Sequence, residues 1–358
     1  LAAGWWKWQA GGALETISIA VLPLDNLGDD PSNADFVDGL TDEIIRNLSV
    51  IDGLAVRSRT SSFIFKNKPH NVREAGRLLN VDYLLEGSVL RSGERLRVNT
   101  QLVRVRDDYA IWSDQFDRQL TDIFAIQDEI SRGVVNNLRL KLGRGKRRYE
   151  TNREAYDLYL RARATEGPER RKRKSEMLEQ VLTKDPSFAP AWAALAALYA
   201  SQSIQFSIDH PPDEVLQLRI TAEKAIQLDA LLAEAHDALA LMYAREGQWK
   251  QSEDSFRRAI ELEPNRSDTR DSYVAYLLRV LGRNEEALEQ LRTAQKADPL
   301  SELIRADMAG ILLAIGRYDE AAAICKTLAE SSDFTTQCMG RSHLGKGRTD
   351  EAIRILSE

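Results

Sequence analysis

Four histidines (His70, His210, His236 and His343) and two cysteines (Cys325 and Cys338) are the residues of this 358-residue chain best suited to metal or nucleophilic chemistry. Their spacing argues against both. No HExxH or Cys–His ligand spacing is present, so no metal site assembles locally, and there is no serine elbow, kinase signature or dinucleotide-binding glycine fingerprint. His236 falls at a packing position and reads as a core residue. The acidic loop Asp25, Asp29, Asp30, Asp35 and Asp38 lacks the order of a calcium loop and reads as helix capping beside solvated carboxylates. Lys141–Arg153 holds Gly143, Gly145 and Lys146, but not at phosphate-loop spacing, and reads as an exposed joint. The run Arg170–Lys174 stands among Glu166, Glu169, Glu176 and Glu179, as the solvated start of a helix does. With a net charge of −6 the chain is not expected to bind nucleic acid. No catalytic residue, metal or cofactor is expected.

The chain must therefore work by presenting surfaces. At 43% hydrophobic and 29% charged it has the composition of a soluble globular protein with a real core. Ile17–Leu24 is an apolar, β-branched run that reads as a buried strand, and Phe36, Leu40, Ile44 and Leu48 form one stripe of a helix beginning near Asp35. LAVRSR from Leu54 is a second strand, and Asn71–Asn80 a second amphipathic helix. Two long strands meet at Ser92-Gly93, where glycine supplies the positive φ of a tight turn; a further strand is expected at Tyr109–Phe116 and a helix over Leu120–Leu142. This mixture makes a small α/β sheet domain over 13–142.

From about 154 onward the chain repeats with a period of about 34 residues, the tetratricopeptide pattern. Leu239, Ala240, Tyr243, Gly247, Trp249, Ser252, Phe256, Ala259 and Pro264 carry its marks in order, and Ala275, Gly282, Ala287, Leu291, Ala294 and Pro299 repeat them. Ala309, Gly316, Tyr318 and Ala321 continue the series, and Gly340, Gly347 and Ala352 begin a truncated repeat. A degenerate repeat occupies Ala155–Pro186, and SQSIQFSIDHPPDE is a loop inserted into the next. The fold class is thus α+β: a sheet domain, a basic linker over 143–153, and an all-α solenoid of about five repeats plus a truncated one over 154–358. One helix pair cannot cover its own apolar face, so small residues let pairs stack and leave a concave groove. Asp237 and Leu241 in one repeat and Tyr276 and Arg279 in the next are expected to line that groove and hold a protein or peptide. Cys325 and Cys338 fall on neighbouring helices of adjacent repeats; they either form a disulfide or fill packing sites as free thiols.

Residues 1–12 carry Trp5, Trp6 and Trp8 before a glycine pair. Tryptophan collects at membrane interfaces, so this segment is expected to be the end of a membrane helix and a linker. The motifs SIAVLPLDNLGDDP, FVDGLTDEI, RTSSFIFK, YLLEGSVLRSGERLRVNTQL, WSDQFDR and DIFAIQDEI together resemble the domain at the amino end of TolB-like proteins, in the version fused to tetratricopeptide repeats in bacterial membrane signalling proteins. That resemblance implies a single-span inner-membrane protein with this region periplasmic, a cytoplasmic output upstream of Leu1, and no catalytic residues here. A CadC-like transcription regulator is the output expected first; an adenylate cyclase, a serine/threonine kinase or a Tol-like envelope scaffold are the rivals. Pairing of membrane helices would make the protein a homodimer.

Overall fold

The structure is a computed structural model that describes residues 16–28, 33–51, 53–138, 149, 151–165, 167, 170–205, 212–328 and 333–357. The tryptophan segment and most of the basic linker lie outside these residues, as do His210, Asp29 and Asp30. Strands β1 (Ile17–Val21), β2 (Asp25–Asn26), β3 (Leu54–Val56), β4 (Tyr83–Ser92), β5 (Arg95–Arg104) and β6 (Tyr109–Gln119) form one sheet in the order β3-β1-β4-β5-β6, with β2 paired to β4. β1 runs parallel to β3 and β4, whereas β4, β5 and β6 are antiparallel. Ser92 pairs with Arg95 across the first hairpin, and Gly93 takes the expected positive φ of 57°.

Helices α1 (Asn33–Ser49) and α4 (Ile123–Asn137) cover one face of the sheet. Phe36, Leu40, Ile44 and Leu48 pack there with Ile130 and Val134 against Leu85, Val98 and Leu102. The short α2 (Arg59–Phe63), absent from the sequence reading, is capped by Ser58, whose side chain accepts from Ser61 N. Helix α3 (Val72–Leu79) covers the other face only over Ala20, Leu22 and Leu84. The remainder of that face is polar.

Six helix pairs follow: α5 (Arg153–Ala164) with α6 (Arg171–Lys184), α7 (Ala189–Gln205) with α8 (Pro212–Leu228), α9 (Ala233–Arg245) with α10 (Trp249–Leu262), α11 (Ser267–Tyr273) with α12 (Asn284–Ala297), α13 (Glu302–Ala314) with α14 (Tyr318–Cys325), and α15 (Asp333–Gly345) with α16 (Thr349–Ser357). Gly247, Gly282, Gly316 and Gly347 each close an intra-pair turn with φ near +70°, a conformation glycine adopts without strain. Among the described residues no helix is long and apolar enough to cross a membrane.

The two halves share one hydrophobic core. Tyr156, Tyr159 and Leu160 of α5 and Leu178 and Val181 of α6 belong to the cluster that contains Phe36, Leu40 and the sheet. Gly39 lets the backbones touch: a Cβ there would lie 2.1 Å from the Leu160 carbonyl oxygen. Farther along, the loops between repeats reach the sheet domain directly. Ser58 N donates to Ala297 O (3.0 Å), Leu300 N to Ser61 Oγ (3.0 Å), and Asn265 Nδ2 to Leu54 O (3.2 Å).

Candidate partner-binding groove

Residues three and four apart share a helix face, which is why the first helix of each repeat sends matched positions toward the inner side of the array. Tyr276 and Arg279 are open there, with 37% of Tyr276 exposed. Arg279 Nη1 donates to Asp307 Oδ1 of α13 at 3.1 Å. Asp237 and Leu241 differ from expectation: each is only 8% exposed, and Leu241 packs within the apolar core of the array. Arg266 and Glu263, from the loop after α10, are charged neighbours of Asp237. His236 also departs from the sequence reading, being half-buried, with Nε2 2.9 Å from Ala230 O and its basicity lowered by burial.

The helix that carries Tyr276 is irregular. Val274–Leu278 forms a π-turn, in which Arg279 N donates to Val274 O at 3.0 Å. The extra residue in the turn rotates everything before it relative to everything after it, and such turns gather at functional sites. No residue pattern announces it.

Carboxylates crowd the same region. Asp271 lies against Asp307, and burial followed by that second carboxylate pushes Asp271 up to about 7; burial also raises Asp307, with Arg279 opposing. Asp237 is likewise pushed up to about 7 by burial, which Arg266 does not overcome. Asp237 Oδ1 and Asp271 Oδ1 are buried atoms without a hydrogen-bond partner. Burial and the neighbouring Asp271 raise the Tyr276 phenol.

Beside the groove, a buried charge network joins the two halves. Arg163 of α5 donates Nη1 to Glu234 Oε1 (2.8 Å) and both Nε and Nη2 to Asp42 Oδ2 (3.0 and 2.9 Å), while Arg46 of α1 donates to Glu234 Oε2 (2.9 Å). Burial alone would raise the Glu234 carboxyl, but Arg163, Arg46 and Arg266 hold it well below the usual range. Lys174 is drawn into this network instead of standing in solvent with its neighbours, and burial followed by Arg163 lowers it to about 8. On α1 alone, Asp38, Asp42 and Arg46 have the four-residue spacing of an ordinary exposed face, so nothing in the sequence singles them out.

A second recess, of about 720 Å³, lies over the polar sheet face and is lined by His70, Glu86, Ser88, Asn99, Gln101 and Gln115. Gln101 Nε2 donates to Glu86 Oε1 there (2.7 Å) and Asn99 Nδ2 to Ser88 Oγ (3.2 Å), so these side chains satisfy one another. At the far end of the array, Cys325 of α14 and Cys338 of α15 are joined by a disulfide, with Cα atoms 6.2 Å apart.

Residues 15–132 match the family described as HilA/YgeH-like transcriptional regulator, second domain, and residues 233–266 and 278–334 match tetratricopeptide-repeat families. The sheet domain is thus similar to the second domain of HilA/YgeH-like regulators, and the array after it to tetratricopeptide repeats. A protein of Rhizobium meliloti (strain 1021) named "Putative adenylate cyclase 3" is 40% identical over 236 residues, which is 63% of this chain. The chain spans about two-fifths of that relative's length, the match covering 40% of it. Among solved structures, YrrB, "a TPR protein with an unusual peptide-binding site", is 19% identical over 51% of this chain and 90% of its own, with a TM-score of 0.40. PilF of Pseudomonas aeruginosa is 16% identical over 52% of this chain and 82% of its own, with a TM-score of 0.42.

Proposed function

We propose that this chain is a non-catalytic sensing and protein-interaction region of a single-span bacterial signalling protein, lying on the extracytoplasmic side of the inner membrane and controlling an output domain upstream of Leu1. The observation that carries the reading is the joining of a regulator-type sheet domain to a repeat groove through a shared core and the Asp42–Arg163–Glu234–Arg46 network. A partner held at Tyr276 and Arg279 then acts on the sheet domain through a solid connection. It shifts the arrangement only as far as it binds one placement of the halves more tightly than another. The likeness to HilA/YgeH-like regulators supports transcription as the output, in the manner of a CadC-like regulator, and the sheet domain's motifs support a TolB-like origin.

The cyclase-named relative supports a second reading, in which the same region governs an adenylate cyclase. Two experiments on the parent protein in cells test these readings. Alkaline phosphatase fused after Glu358 is expected to be active; an inactive phosphatase paired with a fluorescent cytoplasmic fusion refutes the extracytoplasmic placing. Tyr276→Ala combined with Arg279→Ala is expected to abolish the response of a target promoter or, on the second reading, of cyclic AMP. An unchanged response in a folded variant refutes the groove.

A further inference from the structure

The two edges of the sheet are unlike. β3 is 3 residues long, and Asn265 of the array donates to Leu54 O on it at 3.2 Å. β6 runs for 11 residues without a proline, a glycine or a lysine, and among the described residues no strand lies beyond it. A long open edge is a template for another strand. Leu120 N donates to Glu94 O at 2.8 Å, and Arg118, Phe116 and Asp114 face Leu96, Val98 and Thr100. Bonding alternates along an antiparallel pair, so those even-numbered residues bond β5, while Ser113, Gln115, Asp117 and Gln119 turn their N–H and C=O outward. Two of these outward groups are met by the strand's own side chains: Gln115 N donates to Asp114 Oδ1 at 2.8 Å, and Asp117 O accepts from Arg118 Nη1 at 3.2 Å. Both capping side chains are on exposed residues. Arg118 also stands 3.7 Å from Glu129 of α4, and the Asp117 carboxylate is held by Arg95 and Arg97 of β5 at 3.3 and 2.7 Å.

We propose that β6 pairs antiparallel with β6 of a second copy of this chain, about a two-fold axis at Phe116, to make one continuous sheet across a homodimer. In that register Gln115 of each copy faces Asp117 of the other, so the Gln115 N–H and the Asp117 C=O, each capped by its neighbour in the single chain, bond each other between chains. The two caps are thereby released. Asp114 and Arg118 then stand opposite one another twice, on one face of the sheet and at the close spacing of a pair that shares no backbone bond. A two-fold at Gln115 or Asp117 gives Asp114 no opposite charge, and one at Asp114 sets two carboxylates face to face. Only the axis at Phe116 matches each capping side chain with the other. Each copy contributes one edge, and the remaining edge is short and met by Asn265, so the assembly closes at two copies. This interface is independent of the repeat groove.

The test is sedimentation velocity on the whole 358-residue chain over a concentration series at physiological salt and neutral pH, where a species of twice 40.3 kDa is expected. Asp114→Arg alone and Arg118→Asp alone set like charges opposite at both pairs, and each is expected to weaken dimerisation by roughly tenfold or more. The two exchanges together restore opposite charges and are expected to bring the dimer back to within about threefold of the parent. Gln115→Pro removes an outward N–H, a change that an edge strand tolerates, and is expected to leave a folded monomer by circular dichroism. If that variant does not fold, the charge exchanges at their exposed positions decide alone. A monomer at every concentration overturns the proposal, and so does a dimer that keeps its strength in Gln115→Pro and in both single exchanges. Losses in the single exchanges that the double exchange does not restore overturn the register.

Discussion

Replacing Gly39 by alanine adds one methyl group in the middle of α1, a change that stabilises an ordinary helix by about 1 kcal/mol. Here the sign reverses. The new Cβ would stand 2.1 Å from the Leu160 carbonyl oxygen, 2.6 Å from its carbon and 2.8 Å from its Cα. Contact at ~3.5 Å is restored only by moving α1 and α5 apart by about 1.4 Å. Both sides of the clash are backbone, so no rotamer relieves it, and the cost lies at the upper end of the overpacking range, ~3 kcal/mol. Subtracting the propensity gain leaves a net loss of about 2 kcal/mol. Gly310 on α13 is the internal control, because a Cβ there meets nothing within 4 Å; Gly310→Ala is expected to add about 0.4–1 kcal/mol. Urea unfolding followed by tryptophan fluorescence compares the two variants with the parent. If Gly39→Ala stabilises as much as Gly310→Ala, α1 and α5 are not in backbone contact and the shared core is wrongly described.

Glu234→Gln leaves Arg46 and Arg163 buried without their common anion and is expected to cost ~3–5 kcal/mol, read as a fall in the urea midpoint; a loss below about 1 kcal/mol would mean the network is solvated. Asp237 has a folded pKa of about 7 against an ordinary 3.8, set by burial among Arg266, Asp268, Glu234 and Glu263. The fold therefore keeps a proton that the unfolded chain releases, and stability falls as pH rises from about 4 to about 7. Asp237→Asn should flatten that slope, gaining on the parent most above pH 7; parallel pH profiles would show that Asp237 does not titrate in this way. Alkylation without reduction, followed by mass spectrometry, should leave Cys325 and Cys338 unlabelled. Reduction of this 13-residue separation should cost about 3 kcal/mol, and two labelled cysteines would refute the bond.

Much of the architecture was legible because it depends on local periodicity. The stripe Phe36, Leu40, Ile44 and Leu48 admits one helix face, Gly93 admits the hairpin turn, and Gly247, Gly282 and Gly316 mark the turns of the repeats. The candidate groove was legible only in part. Tyr276 and Arg279 are open, as their helical spacing suggested, but Asp237 and Leu241 have the same kind of spacing and are buried. Whether an outward-facing position meets solvent depends on what docks over it, and the docked surface comes from elements remote in the chain. The short α2 was missed because Ser58 caps it through a local hydrogen bond and its far side is completed by Asp298 and Leu300, more than 230 residues away.

By itself the sequence determined most of the strands and helices, though not β2, α2 or the π-turn, that the second half is a stacked array, and that no catalytic set is spelled out along the chain. These follow from interactions within a few residues, or between repeats that carry the same marks. Only the tertiary structure decided that the sheet domain and the array share a core, that Asp42, Arg46, Arg163 and Glu234 neutralise one another in its interior, and that a π-turn aims Tyr276. The partners in that charge network stand up to 188 residues apart. In the sequence each has the spacing of a solvated surface charge, and it becomes an interior group when packing removes water from around it and supplies the opposite charge in its place.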